Sequence, residues 1–155
     1  MVSSYSTDHI STLYRFCAQS MQYPEPQWFT TQYRTSLDTL LETLGGKDEV
    51  RLLQKAFAAS QDPLEDLQVE YTRLFINGVP HVAAPPYASV YMEKMLRGKY
   101  SEEILLFYQS HGYTLTANAD LPDSLIHQLE FLAFVAEDQN RAAEEEFLKR
   151  FFLPW

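Results

Sequence analysis

Apolar residues return along this chain every three or four positions, the spacing of a helix with one buried face. Between Thr7 and Met21 the apolar set is Ile10, Leu13, Cys17 and Met21, and Tyr23-Pro24-Glu25-Pro26 closes the segment. Proline removes a donor and pushes its predecessor out of the α region, so the helix stops there. After Pro26 the stripe is Phe29, Tyr33, Leu37, Leu40, Leu41 and Leu44, with Gly45-Gly46 as a C-terminal stop. Asp48 to Ser60 continues with Val50, Leu53, Ala56 and Phe57. Asp62-Pro63-Leu64-Glu65 then reads as an N-cap, a first-turn proline and a capping-box acid. Leu64, Leu67, Tyr71, Leu74 and Phe75 keep the helical period as far as Asn77-Gly78.

Val79 to Pro86 is a loop, because its prolines cannot be held in a regular helix. A short helix is predicted over Tyr87 to Leu96 and broken by Gly98; Ser101-Glu102-Glu103 opens another, through Leu105, Phe107 and Tyr108 to His111-Gly112. Thr114 to Leu121 is polar connector. Pro122-Asp123 starts a helix from Leu125 to about Glu137 whose Leu125, Ile126, Leu129, Phe131, Leu132, Phe134 and Val135 leave little polar face, the pattern of a buried central helix. Arg141 to Phe152 is the last helical segment before Pro154-Trp155. Sustained period-two alternation and internal repeats are both missing, so the expectation is an all-α fold, one helical domain over residues 1–155.

With 155 residues, 46% of them apolar, the chain is long enough to build a core without a covalent staple. Twelve cations against 21 acids give a net charge of −9, a field that repels phosphate backbones and removes nucleic acid as a partner class. The same field favours a cationic ligand or peptide, or does no more than confer solubility. The single cysteine, Cys17, excludes an internal disulfide, a four-thiolate zinc site and an iron–sulfur cluster made by this chain alone. Met1 to Ser20 lacks the basic region and uninterrupted apolar stretch of a signal peptide, and no window approaches the ~18 apolar residues of a membrane helix. A cytoplasmic protein without membrane insertion is expected.

Catalytic chemistry finds little support. His9, His81, His111 and His127 are scattered and show no metal-ligand spacing, so no metal is expected. Phosphate-cradling glycine motifs and a Gly-x-Ser-x-Gly elbow are missing, and Cys17 lies mid-helix, where a small buried hydrophobe is the ordinary role. Three carboxylates, Glu70, Asp123 and Glu130, would converge if their helices pack together. Asp123 has a simpler reading as a first-turn acid favoured by the helix dipole. Glu130, on a helix with little polar face, must pair or hydrogen-bond, and a structural pair and a functional one are equally open. The loop Pro85-Pro86-Tyr87-Ala88-Ser89-Val90-Tyr91 combines stiffness with amphipathic rings; it suits peptide recognition or packs as a loop with core tyrosines.

Taken together, Glu70-Tyr71-Thr72-Arg73-Leu74-Phe75-Ile76-Asn77-Gly78, the Pro85–Tyr91 loop, Pro122-Asp123 and Gln128-Leu129-Glu130-Phe131-Leu132 resemble the TorD/DmsD family of molybdoenzyme maturation chaperones. Gly98, Tyr108 and Gly112 fit that family's middle segment, and Phe147 through Trp155 looks like its Phe-x-x-x-His-Leu-x-x-Trp stretch. Departures are Ser124 where the family has histidine, Ala88 in its Tyr-Glu-Ser, and Phe151-Phe152 in place of His-Leu. The stop at Trp155 implies a short member without the family's C-terminal helices, a truncated piece, or a chain completed by domain exchange in a homodimer.

The resemblance implies a non-enzymatic helical chaperone, with no cofactor of its own, for an apo-molybdoenzyme and its twin-arginine signal peptide. It would assist cofactor insertion and delay export. Glu70, Asp123 and Glu130 are then candidates for the peptide's arginines, Leu74, Phe75, Tyr87 and Tyr91 for the groove wall, and Tyr71, Pro85, Pro86, Ser89 and Pro122 complete the candidate peptide-binding set. Leu74 and Phe75 are better explained as core than as groove, because their helical spacing already accounts for them. A guanine-nucleotide-dependent switch and a general helical adaptor are the alternatives.

Overall fold

The chain is all-helical across residues 7–155, the span described by the computed structural model. Residues 1–6, part of the stretch read as lacking a signal peptide, lie outside the described residues. The helices are α1 (Thr7–Ser20), α2 (Thr31–Thr43), α3 (Lys47–Ala59), α4 (Pro63–Tyr71), α5 (Ala88–Glu93), α6 (Lys99–Ser110), α7 (Leu125–Glu137) and α8 (Arg141–Phe147). Two π-helical turns, Thr72–Ile76 and Leu148–Phe152, prolong α4 and α8. Among the described residues no helix is long and apolar enough to cross a membrane.

The ends follow from local chemistry. The Asp62 carboxylate accepts the Glu65 N–H at 3.1 Å with Pro63 in the first turn of α4, and Gly45 and Gly112 take φ values of 89° and 75° just past α2 and α6. Several boundaries differ from the periodicity; α5, for one, ends at Glu93 rather than running to Leu96, because Lys94 turns left-handed with a φ of 61°. Helix α2 begins at Thr31 rather than after Pro26, because the N–H groups of Trp28 and Phe29 turn back to the Glu25 carbonyl and Thr30 caps Tyr33. Helix α6 begins at Lys99, two residues before Ser101, which is itself buried in the first turn. The run to Asn77 is not one regular helix: the Asn77 N–H reaches back five residues to the Thr72 carbonyl at 2.8 Å.

The helices form two compact units. One takes in residues 7–22 together with Pro85–Trp155. Its centre is α7, on which Leu129, Phe131, Leu132, Val135 and both adjoining alanines, Ala133 and Ala136, are buried, as the all-round apolar pattern predicts. Phe131 lies 4.7 Å from the Tyr108 ring and 4.8 Å from Phe147, and Phe107 and Phe151 complete the ring cluster. Each such ring contributes roughly 1.5–3 kcal/mol through the area removed from water. Helix α1 joins through Tyr14, whose hydroxyl donates to the buried Glu144 carboxylate at 2.8 Å while Arg141 donates to the same group at 3.0 Å. Burial first, then Glu144, raises the Tyr14 pKa and holds the phenol protonated.

The other unit is Tyr23–Ala84. Phe29 and Phe57 meet edge to face at 5.9 Å with the Arg34 guanidinium over both rings, and Val50 is buried. Helix α4 is tied to the preceding turn by Gln68, whose side-chain amide donates to the Pro24 carbonyl at 2.7 Å, and by the edge contact of Tyr23 on Tyr71.

Candidate peptide-binding site

The dispersed motifs of the first unit come together as one hydrogen-bonded assembly. The Pro85–Tyr91 loop runs beside the Pro122–Ser124 turn: Ala88 N–H donates to the Asp123 carbonyl at 3.1 Å, Leu125 N–H to the Pro86 carbonyl at 2.9 Å, and Tyr87 and Ser124 pair as a β-bridge. The Tyr87 hydroxyl donates to Asp120 at 2.8 Å, and the fully buried Tyr108 hydroxyl donates to the Pro122 carbonyl at 2.8 Å. Among these groups a half-buried face of Pro85, Pro86 and Tyr87 adjoins the more exposed Tyr91.

Asp123 corrects the simple reading of its sequence position. It stands before the N-cap of α7, which is Ser124, and so is not a first-turn acid of that helix. Its side chain has no exposed surface, and one carboxylate oxygen accepts the Ser89 N–H at 2.8 Å, capping α5 instead. The other oxygen, Oδ1, and Ser89 Oγ are buried without a hydrogen-bond partner among the described residues.

Glu130 does pair, as its setting requires: Oε2 lies 3.1 Å from His127 Nδ1. Its side chain keeps 38% of its surface, so the pair is partly open to solvent, whereas Gln128 on the same helix is enclosed. Burial, reinforced by Glu130, pushes the Tyr113 phenol up to about 12.

Glu70, Tyr71, Leu74 and Phe75 belong to the other unit, on α4 and its π turn. Glu70 is exposed and already held by Arg73, whose Nε donates to Oε2 at 3.0 Å while Nη2 pairs with Oε1; that hydrogen bonding lowers the Glu70 pKa. Tyr71 and Phe75 stack edge to face at 4.8 Å, and both are half-buried, as is Leu74, so they serve as packing and still show surface. A shallow groove of about 500 Å³ runs along this segment, lined by Tyr23, Gln68, Val69, Thr72, Arg73 and Asn77 among others.

Two residues of the quoted motifs were not among the candidate site residues, Gln128 and Trp155. The Gln128 amide donates to the Asp123 carbonyl at 2.8 Å and its oxygen faces Trp155 Nε1 at 3.4 Å, while the Trp155 ring lies 5.6 Å from Tyr91. A polar amide on a helix with little polar face was the available signal for Gln128. Trp155 gave none beyond its place in the terminal motif. Among the described residues no group of His, Cys, Asp and Glu is placed to hold a metal ion, and burial raises the Cys17 pKa, which keeps the thiol protonated.

The crystal structure of an Archaeoglobus fulgidus protein described as a redox enzyme maturation protein is similar to this chain, with a TM-score of 0.60 and 28% identity over 96% of this chain and 86% of that one. No curated protein matches it significantly. The family described as nitrate reductase delta subunit matches residues 29–155, which include the Glu70–Gly78 segment, the Pro85–Tyr91 loop, the Pro122–Ser124 turn and Trp155. The chain therefore belongs to the nitrate reductase delta subunit family.

Proposed function

We propose that this chain is a TorD/DmsD-type maturation chaperone, working as one domain in the cytoplasm. It binds the twin-arginine signal peptide and the apo form of a molybdenum oxidoreductase, assists cofactor insertion and delays export. It performs no chemistry itself and carries no cofactor. The observation that supports this most is the assembly of the Pro85–Tyr91 loop, the Pro122–Ser124 turn and Trp155 into one hydrogen-bonded surface, since these are the segments on which the resemblance rests. Likeness to a described redox enzyme maturation protein points the same way.

The chemistry suits such a client. A twin-arginine leader has a basic end and an apolar middle, which match a chain of net charge −9 with half-buried tyrosines and prolines on its surface. Charge speeds the encounter and apolar contact supplies most of the affinity. Of the three acids, Glu70 and Glu130 keep accessible carboxylates for arginine, and Asp123 shapes the loop from beneath. Titration calorimetry with a leader peptide from a molybdoenzyme encoded beside this chain tests the reading. Saturable binding that weakens when both arginines become glutamine supports it; binding indifferent to that change identifies a general helical adaptor, and no binding refutes recognition of the leader.

A further inference from the structure

Met92 to Lys99 joins the end of α5 to the start of α6 and departs from the acidic character of the chain. Three apolar side chains stand in solvent, Met92 at 43%, Met95 at 58% and Leu96 at 52% exposed, beside the cations Lys94, Arg97 and Lys99. The one acid, Glu93, is turned away: its Oε2 accepts the Tyr100 N–H at 3.0 Å, and a Cβ on Gly98 would lie 1.9 Å from that oxygen. This clamp closes the segment into a tight tip. Lys94 and Arg97 take φ values of 61° and 58° on either side of Met95 and Leu96, a conformation that glycine or asparagine adopts more easily. Lys99 pairs with Glu103 at 3.6 Å, but neither Lys94 nor Arg97 has an ion pair among the described residues.

We propose that this tip docks reversibly on an anionic lipid bilayer. Met95 and Leu96 enter the boundary between headgroups and acyl chains, and Lys94 and Arg97 reach the lipid phosphates. Charge complementarity selects this occupant. An acidic protein surface would satisfy the two cations but leave the apolar pair between them without a seat, whereas an anionic bilayer satisfies both. The net charge of −9 opposes approach, yet screening over about 8 Å at physiological salt leaves the local cations to dominate at contact.

The test is sedimentation of the full chain with vesicles of 70% phosphatidylcholine and 30% phosphatidylglycerol, against pure phosphatidylcholine and against soluble polyglutamate. Binding confined to the anionic vesicles is expected. The double change Lys94→Asn/Arg97→Asn, which tolerates the left-handed backbone, should lower partitioning about 30-fold, and Met95→Ser/Leu96→Ser should lower it while circular dichroism stays unchanged. The proposal is overturned by equal binding to both vesicles, by binding that survives both double changes, by no binding to either, or by capture of polyglutamate alone, which would make the tip an acidic-protein contact.

Discussion

The Asp123 carboxylate accepts the backbone N–H of Ser89 at 2.8 Å across 34 residues of chain, so the turn that introduces α7 also caps α5. The arrangement is one-sided: the acid supplies the cap, while the buried Ser89 hydroxyl has no hydrogen-bond partner among the described residues. Asp123→Ala is expected to destabilise the protein by about 2–3 kcal/mol, the range for a buried charged hydrogen bond whose donor is left unsatisfied. Ser89→Ala should be neutral or slightly stabilising, because an unpaired buried hydroxyl is removed. Urea unfolding of the two variants measures both.

Glu93 and Gly98 offer a cleaner separation of causes. A Cβ on Gly98 meets only the end of the Glu93 side chain, which can swing away at the loss of its bond to the Tyr100 N–H. Gly98→Ala and Glu93→Ala should therefore each cost about 1 kcal/mol, the usual worth of a helix cap. The double variant should cost little more than either alone, a coupling that a double-mutant cycle reads directly. Gly78 makes the contrast: its Cβ would lie 2.6 Å from the His81 carbonyl oxygen and 2.9 Å from that of Arg73. Backbone must move there, so Gly78→Ala should be the more destabilising of the two glycine changes.

What the sequence disclosed and what it withheld divide along locality. Capping at Asp62-Pro63, the glycine stops at Gly45 and Gly112, and the buried centre on α7 depend on neighbours within a turn or two, and all three are present. The π turn at Thr72–Ile76 differs from a regular turn by one residue in the hydrogen-bond step, too little to disturb the spacing of Tyr71, Leu74 and Phe75. The role of Asp123 is hidden in the sequence because its partner Ser89 is 34 residues away, and the role of Gln128 depends equally on the Asp123 carbonyl and on Trp155. Of the acids grouped as candidates, sequence could not tell the enclosed Asp123 from the accessible Glu70 and Glu130, since burial is a property of the packed unit.

Stability should fall above about pH 10, the ordinary phenol value. Burial raises the pKa of Tyr14, Tyr100, Tyr108 and Tyr113, in two of them to about 12. The unfolded chain loses these protons near pH 10 while the native chain retains them, so over roughly pH 10 to 12 the native state binds more protons and is progressively disfavoured. Below pH 10 both states are protonated and the contribution is complete. Absorbance of tyrosinate should therefore rise steeply and together with the loss of helical circular dichroism. Independent, gradual titration of these phenols in a chain that stays folded would contradict the assignment.

Glu70 and Arg73 bear on recognition itself. Arg73 occupies both oxygens of Glu70 with a bidentate guanidinium, the contact that an arginine of a leader peptide would make. If Glu70 receives that arginine, binding is an exchange of one guanidinium for another and Arg73 competes from within the chain. Arg73→Gln should then tighten binding of the twin-arginine peptide, by no more than about fivefold because the pair is exposed and worth little in water. Glu70→Gln should weaken it, and the double variant should bind no better than Glu70→Gln alone. A gain from Arg73→Gln that persists when Glu70 is also changed would mean that Arg73 acts only through the general field, by repelling a basic peptide, and that Glu70 is not its receptor. Repeating the titrations at higher salt separates the two, since the field effect disappears with screening while direct exchange at a contact pair is reduced far less.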